Sequence, residues 1–491
     1  MRRMTRIVPT LAAIVAIPIA LASPARAYQA PTKPVEPKEL TISPAAAPVP
    51  AFRYRLFPVS VDRTPGNAVP MYLRLTHEFQ SSGLQQINEK HEAWITKASG
   101  PLPGAEAHKF LDQFESKLRH LGIGARRAEA DWAYPLAEQK EDAISILLPD
   151  AQGMRTWGRL LQMQIRLEIE EGKFPEAARL LESNMGFARH VANAPFTINA
   201  LIGAAIAHTG LAEVETWIGK PGSPNLYWAL TALPRPLIPL RDQVETEQRI
   251  SEFLIPELAA TDRVRTDAEC SVALIRLVER VNELTRQNSE QSGFFGEVNA
   301  RPAPLDLARL RADAPKAREF LTGRGIDAAT MSDDRAALAS LVEKYRELRD
   351  TIFLASYLPF DQSSKVAEEG VAASKAVKDG PLALFAAIMP GTSIRAVQRA
   401  EVRVDRRVAA LRVVEAIRLH AAAHGGKLPD ALAEVTIVPI PVDPATGKAF
   451  EYRREGDAAR LTGPPDEAPS GSAYGASNPA QSIDYKITLR K

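Results

Sequence analysis

Two of the eight histidines have a spacing that suits metal binding. His420 and His424 stand four residues apart, which lets two imidazoles on one helix share a metal ion. No acidic third ligand lies within the same turn, and the glycine pair at 425–426 marks the end of a helix. A histidine there satisfies free carbonyls and favours the helix dipole by roughly 0.3–1 kcal/mol. We therefore predict a helix-end role for the pair and no metal site.

The remaining histidines offer no complete motif. His77 and His91 are each followed by a glutamate, as in the His-Glu-x-x-His motif of zinc proteases. The position of the second histidine is taken by Ser81 and Ile95, so neither match survives. His208 interrupts an apolar segment, where a hydrogen-bonded core histidine is commoner than a catalytic one.

No nucleophile or phosphate-binding motif is present. The sequence contains neither a Gly-x-Ser-x-Gly elbow nor a phosphate loop, and Gly323-Arg324-Gly325 is too short a match. Carboxylates are abundant, but the sequence sets none apart by an apolar setting that would raise its pKa. We therefore name no catalytic, cofactor-binding or metal-binding residue and expect no cofactor.

Several aromatic residues could line a groove for a sugar or a peptide. Most fall at spacings typical of a helical core, so we interpret them as core residues and keep the groove as an alternative. They are Trp132, Tyr134, Trp157, Trp217, Tyr227 and Trp228.

Cys270 is the chain's single cysteine, so an internal disulfide is excluded. It is in line with Leu274, Leu277 and Val281, a spacing that predicts a buried position on one helix face.

The N-terminus predicts a secretory signal peptide over residues 1–27. Three arginines in the first six residues precede an uncharged, mostly apolar run at 7–22. Ala25 and Ala27 then supply the small-x-small pattern of a signal cleavage site. An uncleaved N-terminal anchor is the alternative. No cysteine stands directly after the signal, so we expect no lipid anchor there.

The charges are balanced once the signal is set aside. The whole chain has 61 basic and 59 acidic side chains, and four of the arginines lie in residues 1–27, which hold no acid. A near-neutral body has no overall attraction for nucleic acid, and we expect no nucleic-acid partner.

The body is predicted to be mainly α-helical. Residues 28–50 contain six prolines between 31 and 50, which favours an extended spacer; an arm lying on the body is the alternative. Residues 51–392 carry helical periodicity, and the apolar segment 200–210, too short to span a membrane, predicts a central buried helix. Further helices are predicted at about 104–121, 154–171, 176–192, 224–232, 236–260, 262–290 and 332–358.

The C-terminal part, residues 393–491, changes character. A helix over 393–423 is followed by two strand signals at 449–461, and Ile483, Tyr485, Ile487 and Leu489 alternate as in a third strand. The Gly/Ser/Pro-rich segment 463–480 predicts a mobile loop. The fold class expected is an irregular helical-hairpin array followed by a small α+β module with a short antiparallel sheet.

Three resemblances bear on fold and location. Gly172, Phe174 and Ala177 resemble the turn of a tetratricopeptide repeat, but no period near 34 residues exists, so a generic helical hairpin is favoured.

HGGKLPDAL and PVDPATGKAFEYRREGD, within 396–460, resemble the soluble head of type II secretion pseudopilins, which implies a helix packed on a small sheet. This chain departs from that family in having a cleavable signal where the family has an N-terminal peptidase site, and the family's calcium ligands have no assigned counterparts here. Segments 52–75 and 225–250, with this C-terminal segment, resemble large exported planctomycete proteins, which implies an envelope location and does not indicate an activity.

These observations favour an exported helical scaffold or protein-interaction protein, periplasmic or secreted. Envelope proteins or peptides are the expected partners, and no membrane span is expected after signal removal. The alternatives are an envelope hydrolase acting on glycan or peptide through unassigned carboxylates, and a secretion-apparatus accessory protein.

Overall fold

The computed structural model describes residues 36–78, 81–98, 100–134, 148–259, 266–290, 304–377, 382–388, 391–464 and 483–490. The predicted signal peptide, with Ala25 and Ala27, lies outside the described residues. The first part of the proline-rich segment and most of the predicted 463–480 loop also lie outside them.

Helices make up most of the described chain, which confirms the mainly α fold class. They are α1 (Val69–Glu78), α2 (Ser81–His91), α3 (Gly104–Leu111), α4 (Glu115–Ala125), α5 (Leu148–Glu170), α6 (Phe174–Ala192), α7 (Thr197–Gly219), α8 (Tyr227–Thr231), α9 (Arg241–Gln248), α10 (Ile250–Leu254), α11 (Asp267–Glu290), α12 (Leu307–Ala312), α13 (Ala314–Thr322), α14 (Asp333–Phe353), α15 (Ser364–Ala376), α16 (Ala383–Ile388) and α17 (Gly391–Ala423). The strands are β1 (Lys38–Ile42), β2 (Thr64–Asn67), β3 (Arg127–Glu129), β4 (Glu451–Glu455), β5 (Ala458–Thr462) and β6 (Asp484–Leu489).

Helices α5, α6 and α7 pack against one another and form the centre of the fold. Gly172 turns α5 into α6 with φ +74°, a left-handed conformation that glycine adopts without steric cost. Gly203 lets α7 approach α6 closely, because a Cβ there would lie 2.6 Å from the carbonyl oxygen of Ala188. The predicted helical hairpin and the predicted central buried helix are both confirmed.

Helix α7 is longer than its apolar segment suggests. It spans 23 residues and is long and apolar enough to cross a membrane by length and composition, so the argument from shortness is wrong. Its surface is instead covered by α5, α6 and α17. Fifteen of its residues are buried, including Leu211, Val214 and Trp217.

The single helix predicted over 236–260 is broken into α9 and α10. Pro236 and Pro239 lack a backbone N–H donor, and α9 begins only after them, at Arg241. Helix α10 ends at Leu254 because Ile255, the residue before Pro256, lies outside the helical region with φ −131° and ψ 80°.

The C-terminal sheet has the strand order β1-β6-β5-β4. Strands β4, β5 and β6 pair antiparallel, as predicted. Strand β1 adds to β6 in parallel, in register from Lys38 with Tyr485 to Ile42 with Leu489, so the sheet is mixed. The spacer prediction is therefore wrong for residues 38–42. Leu40 and Ile42 alternate with exposed residues and bury themselves in the sheet, as the alternative of an arm on the body requires.

A buried carboxylate connects this sheet to the helices. Glu215 of α7 accepts hydrogen bonds from Arg407 Nε of α17 at 2.9 Å and from Tyr485 Oη of β6 at 2.7 Å, and it pairs with Lys38 of β1. Burial alone would raise the pKa of Glu215, but Arg407 and Lys38 hold it below its usual range. The C-terminal module and the helical body thus share one interior.

Candidate functional site

An open cleft of about 820 Å³ lies between α1, α2 and α5. We call it the α2–α5 cleft, and most of the residues that line it have polar side chains. The lining residues are Thr76, Leu84, Gln85, Asn88, Glu89, Glu92, Ala93, Lys97, Gly153, Thr156 and Arg159. Ligand sites are commonly concave and of about 300–1,000 Å³, so its size is suitable for binding.

A π-helical turn forms one rim of the cleft. Helix α2 continues into it over Glu92–Thr96, and Lys97 N donates to Glu92 O at 2.9 Å. Trp94 holds the turn in place, since it is buried and meets the Phe110 ring edge-on at 5.6 Å. Turns of this kind are rare and frequently accompany functional sites.

Asn88 has a defined orientation in the cleft. Its Oδ1 accepts from Arg159 Nη1 at 2.7 Å and from Thr156 Oγ1 at 3.3 Å. Two donors identify this atom as the amide oxygen, so the amide nitrogen of Asn88 remains a donor without a partner among the described residues.

A buried polar chain runs from the edge of the cleft into the core. His91 Nε2 lies 2.8 Å from Gln162 Oε1, and Gln162 Nε2 donates to Glu213 Oε1 at 2.8 Å. Glu213 is fully buried and accepts a second bond from Arg166 Nη2 at 2.9 Å.

This chain determines the tautomer of His91. A carboxylate bound to arginine only accepts, so Gln162 must direct its nitrogen to Glu213 and its oxygen to His91. The proton of neutral His91 is therefore on Nε2, and Nδ1 keeps a free lone pair. Burial lowers the pKa of His91, and the positive charge of Arg159 lowers it further, which favours the neutral ring.

The histidines considered for metal binding have other roles. The rings of His420 and His424 stack with centroids 3.9 Å apart, and His424 Nδ1 lies 2.8 Å from the His420 carbonyl oxygen, which confirms the helix-end role. Among the described residues no group of three or more His, Cys, Asp or Glu could hold a metal ion. Burial and the charges of Arg407 and Arg403 lower the pKa of His208 to about 3. The predicted hydrogen-bonded core histidine is not found there, since the described residues offer its ring no hydrogen bond.

Most of the aromatic residues belong to the core, and Tyr134 and Trp228 are half-buried. Trp157, Trp217 and Tyr227 are at most 1% exposed. Trp132 is also buried and donates Nε1 to the His190 carbonyl oxygen at 2.9 Å. Cys270 is buried on α11, as predicted.

Two carboxylates that the sequence analysis did not single out have raised pKa values. Glu401 and Asp405 lie one turn apart on α17, which is largely buried. Burial raises the pKa of Glu401 to about 8, with a further contribution from the charge of Asp405. Burial also raises the pKa of Asp405 to about 6, although Leu237 N donates to its Oδ1 at 3.1 Å.

The comparisons with protein-family models, with curated proteins and with solved structures find no match to this chain. The resemblances to pseudopilin heads and to exported planctomycete proteins therefore stay predictions.

Proposed function

We propose that this chain is an exported interaction protein of the cell envelope, a helical scaffold that takes a polar segment of a partner protein into the α2–α5 cleft. The basic start, the apolar run and the Ala25-x-Ala27 site support export. The cleft supports the interaction, and it is the observation that carries the proposal.

The polar groups of the cleft suit recognition. Two neighbours hold the side-chain oxygen of Asn88, and its amide nitrogen has no partner among the described residues. Among these residues Arg159 uses one of its five N–H groups. Polar groups that are already oriented, and whose hydrogen bonds are not all made within the described part of the protein, lose little conformational freedom when a ligand binds. More of the interaction energy then appears as affinity.

A pull-down from envelope fractions tests the proposal. Gln85→Trp places a bulky ring in the cleft at an exposed position of α2, and Lys375→Trp makes the same change at an exposed position of α15, away from the cleft. We expect the wild type and Lys375→Trp to retain the same partner and Gln85→Trp to lose it. Retention of that partner by Gln85→Trp would contradict the proposal.

An envelope hydrolase acting on glycan or peptide is the second candidate. A protonated carboxyl group beside a more acidic one is the combination that glycosidases use as acid and base, and Glu401 and Asp405 have this relation. Neither lines the α2–α5 cleft, which places this candidate second.

Release of reducing ends or free amines from isolated envelope material distinguishes this candidate. A hydrolase that uses the pair loses at least 100-fold of its rate in Glu401→Gln, with the thermal unfolding curve as a check on folding. Equal release by Glu401→Gln and wild type excludes this pair as the catalytic acid and base.

A further inference from the structure

The α2–α5 cleft contains a positive charge that has no carboxylate partner among the described residues. Arg159 is half-buried, donates Nη1 to the neutral oxygen of Asn88, and forms no ion pair with any residue that the structure describes. Arg155 lies one turn earlier on the same face of α5, and burial and the charge of Arg159 lower its pKa. A negative group at this position would offset the cost of burying these two arginines and the repulsion between them.

The glutamates that line the cleft do not supply this negative group. Glu92 lies 3.7 Å from Lys97 Nζ, and Glu89 accepts from Gln85 at 2.8 Å. Both are exposed at the rim, where water and salt weaken their attraction for a cation on α5.

A second arginine on α5 has the carboxylate partner that the described residues do not give Arg159. Arg166, seven residues after Arg159, is paired with the fully buried Glu213 at 2.9 Å. Helix α5 therefore carries one arginine whose charge is neutralised by a buried carboxylate, and one, in the cleft, with no carboxylate partner among the described residues.

The available donors match the geometry of a carboxylate. The planar guanidinium of Arg159 has N–H groups without a partner among the described residues, and the amide nitrogen of Asn88 is held beside it. A guanidinium fork binds a carboxylate through two parallel hydrogen bonds, which a lysine ammonium does not reproduce.

We propose that the α2–α5 cleft binds an acidic peptide segment, with an aspartate or glutamate carboxylate against Arg159 and the amide nitrogen of Asn88. This inference rests on the proposed function and specifies the chemistry of the partner. A peptide fits better than a small acid because the cleft is about 820 Å³, open to solvent, and lined by Gln85, Thr76 and Thr156, whose side-chain oxygens can accept from backbone N–H groups.

Selection of peptides from a displayed library of random heptapeptides tests the inference with the purified full chain. We expect enriched sequences to contain Asp or Glu. A synthetic enriched peptide should bind at least tenfold more weakly to Arg159→Gln, and its Asn/Gln analogue should bind at least tenfold more weakly to the wild type. Arg179→Gln is the matched control, because Arg179 is exposed on α6 and paired with Glu176. It should leave the affinity unchanged.

The possible failures are distinguishable. Enrichment of neutral or basic peptides that bind Arg159→Gln as tightly as the wild type overturns the acidic-partner inference and leaves the proposed function in place. No enrichment over the blocked Gln85→Trp chain counts against both. Arg159→Lys separates charge from geometry: full affinity in this variant overturns the role of the guanidinium fork.

Discussion

Single residues in this chain have their properties set by neighbours that are distant in sequence. The tautomer of His91 depends on Glu213, and the orientation of Asn88 depends on Arg159. From the sequence alone, His91 is recognisable only as the first half of a zinc-protease motif. Leu84, Asn88 and His91 do follow helical spacing, but nothing local indicates that α2 meets α5. The site was therefore not predictable from these residues alone.

Glu401 provides a prediction at this scale. Its pKa is about 8 in the folded chain and near 4.5 when exposed, so the folded state keeps a proton that the unfolded state releases between these values. The free energy of unfolding therefore falls as pH rises from about 4.5 through 8. Glu401→Gln stays neutral and should be more stable than wild type by about 4 kcal/mol at pH 8, and nearly equal at pH 4.5.

Urea unfolding at the two pH values measures this difference. The control is Glu245→Gln at an exposed position of α9, which should change stability by less than about 1 kcal/mol at either pH. A Glu401→Gln chain with the same pH dependence as the wild type would falsify the assignment of a buried, protonated carboxyl group.

At the scale of elements, long periodic segments were predictable and pairings between distant segments were not. Helices α5, α6 and α17 lie close to their predicted positions because their apolar faces extend over several turns. Strand β1 was missed because the prolines around it dominate the composition and its five residues carry only two buried side chains. Its partner, β6, lies more than 440 residues away.

Strand β1 should contribute measurably to stability. Ile42 is fully buried, so Ile42→Ala should lower the free energy of unfolding by about 2–5 kcal/mol. Thr41→Ala, on the exposed face of the same strand, should have a much smaller effect. Chemical unfolding monitored by circular dichroism compares them. Equal stability of both variants and the wild type would mean that residues 38–42 act as a spacer after all.

Helix α17 carries a fully buried ion pair that joins distant segments. Arg418 Nη1 donates to Glu415 at 3.0 Å, and its other nitrogens donate to the carbonyl oxygens of Ser43 at 2.9 Å and Ser223 at 2.7 Å. Arg418→Met leaves the carboxylate of Glu415 buried without its partner and should cost about 3–5 kcal/mol.

The double variant Arg418→Met/Glu415→Leu tests the reason for this loss. It removes both charges and should recover most of the stability, because two apolar side chains need no counter-charge. The midpoint of urea unfolding measures both variants. A double variant no more stable than the single one would show that the loss comes from the missing bonds of Arg418 to Ser43 and Ser223.

At the scale of the whole molecule, the N-terminal and C-terminal segments close on the same helical body. Lys38, Arg407 and Tyr485 meet at Glu215, so strands from both ends of the described chain are held against α7. None of these four residues lines the α2–α5 cleft. We interpret the junction at Glu215 as the support of the fold and the cleft as the surface through which the chain acts.

Photo-crosslinking in intact cells tests the function of this cleft most directly. A photoreactive amino acid replaces Gln85 in the cleft or Lys375 on α15, both at exposed helical positions. We predict that illumination joins one envelope protein to the chain from position 85 and that the same adduct is absent from position 375. Identical adducts from both positions, or no adduct from position 85, would contradict the proposal that the α2–α5 cleft binds a partner.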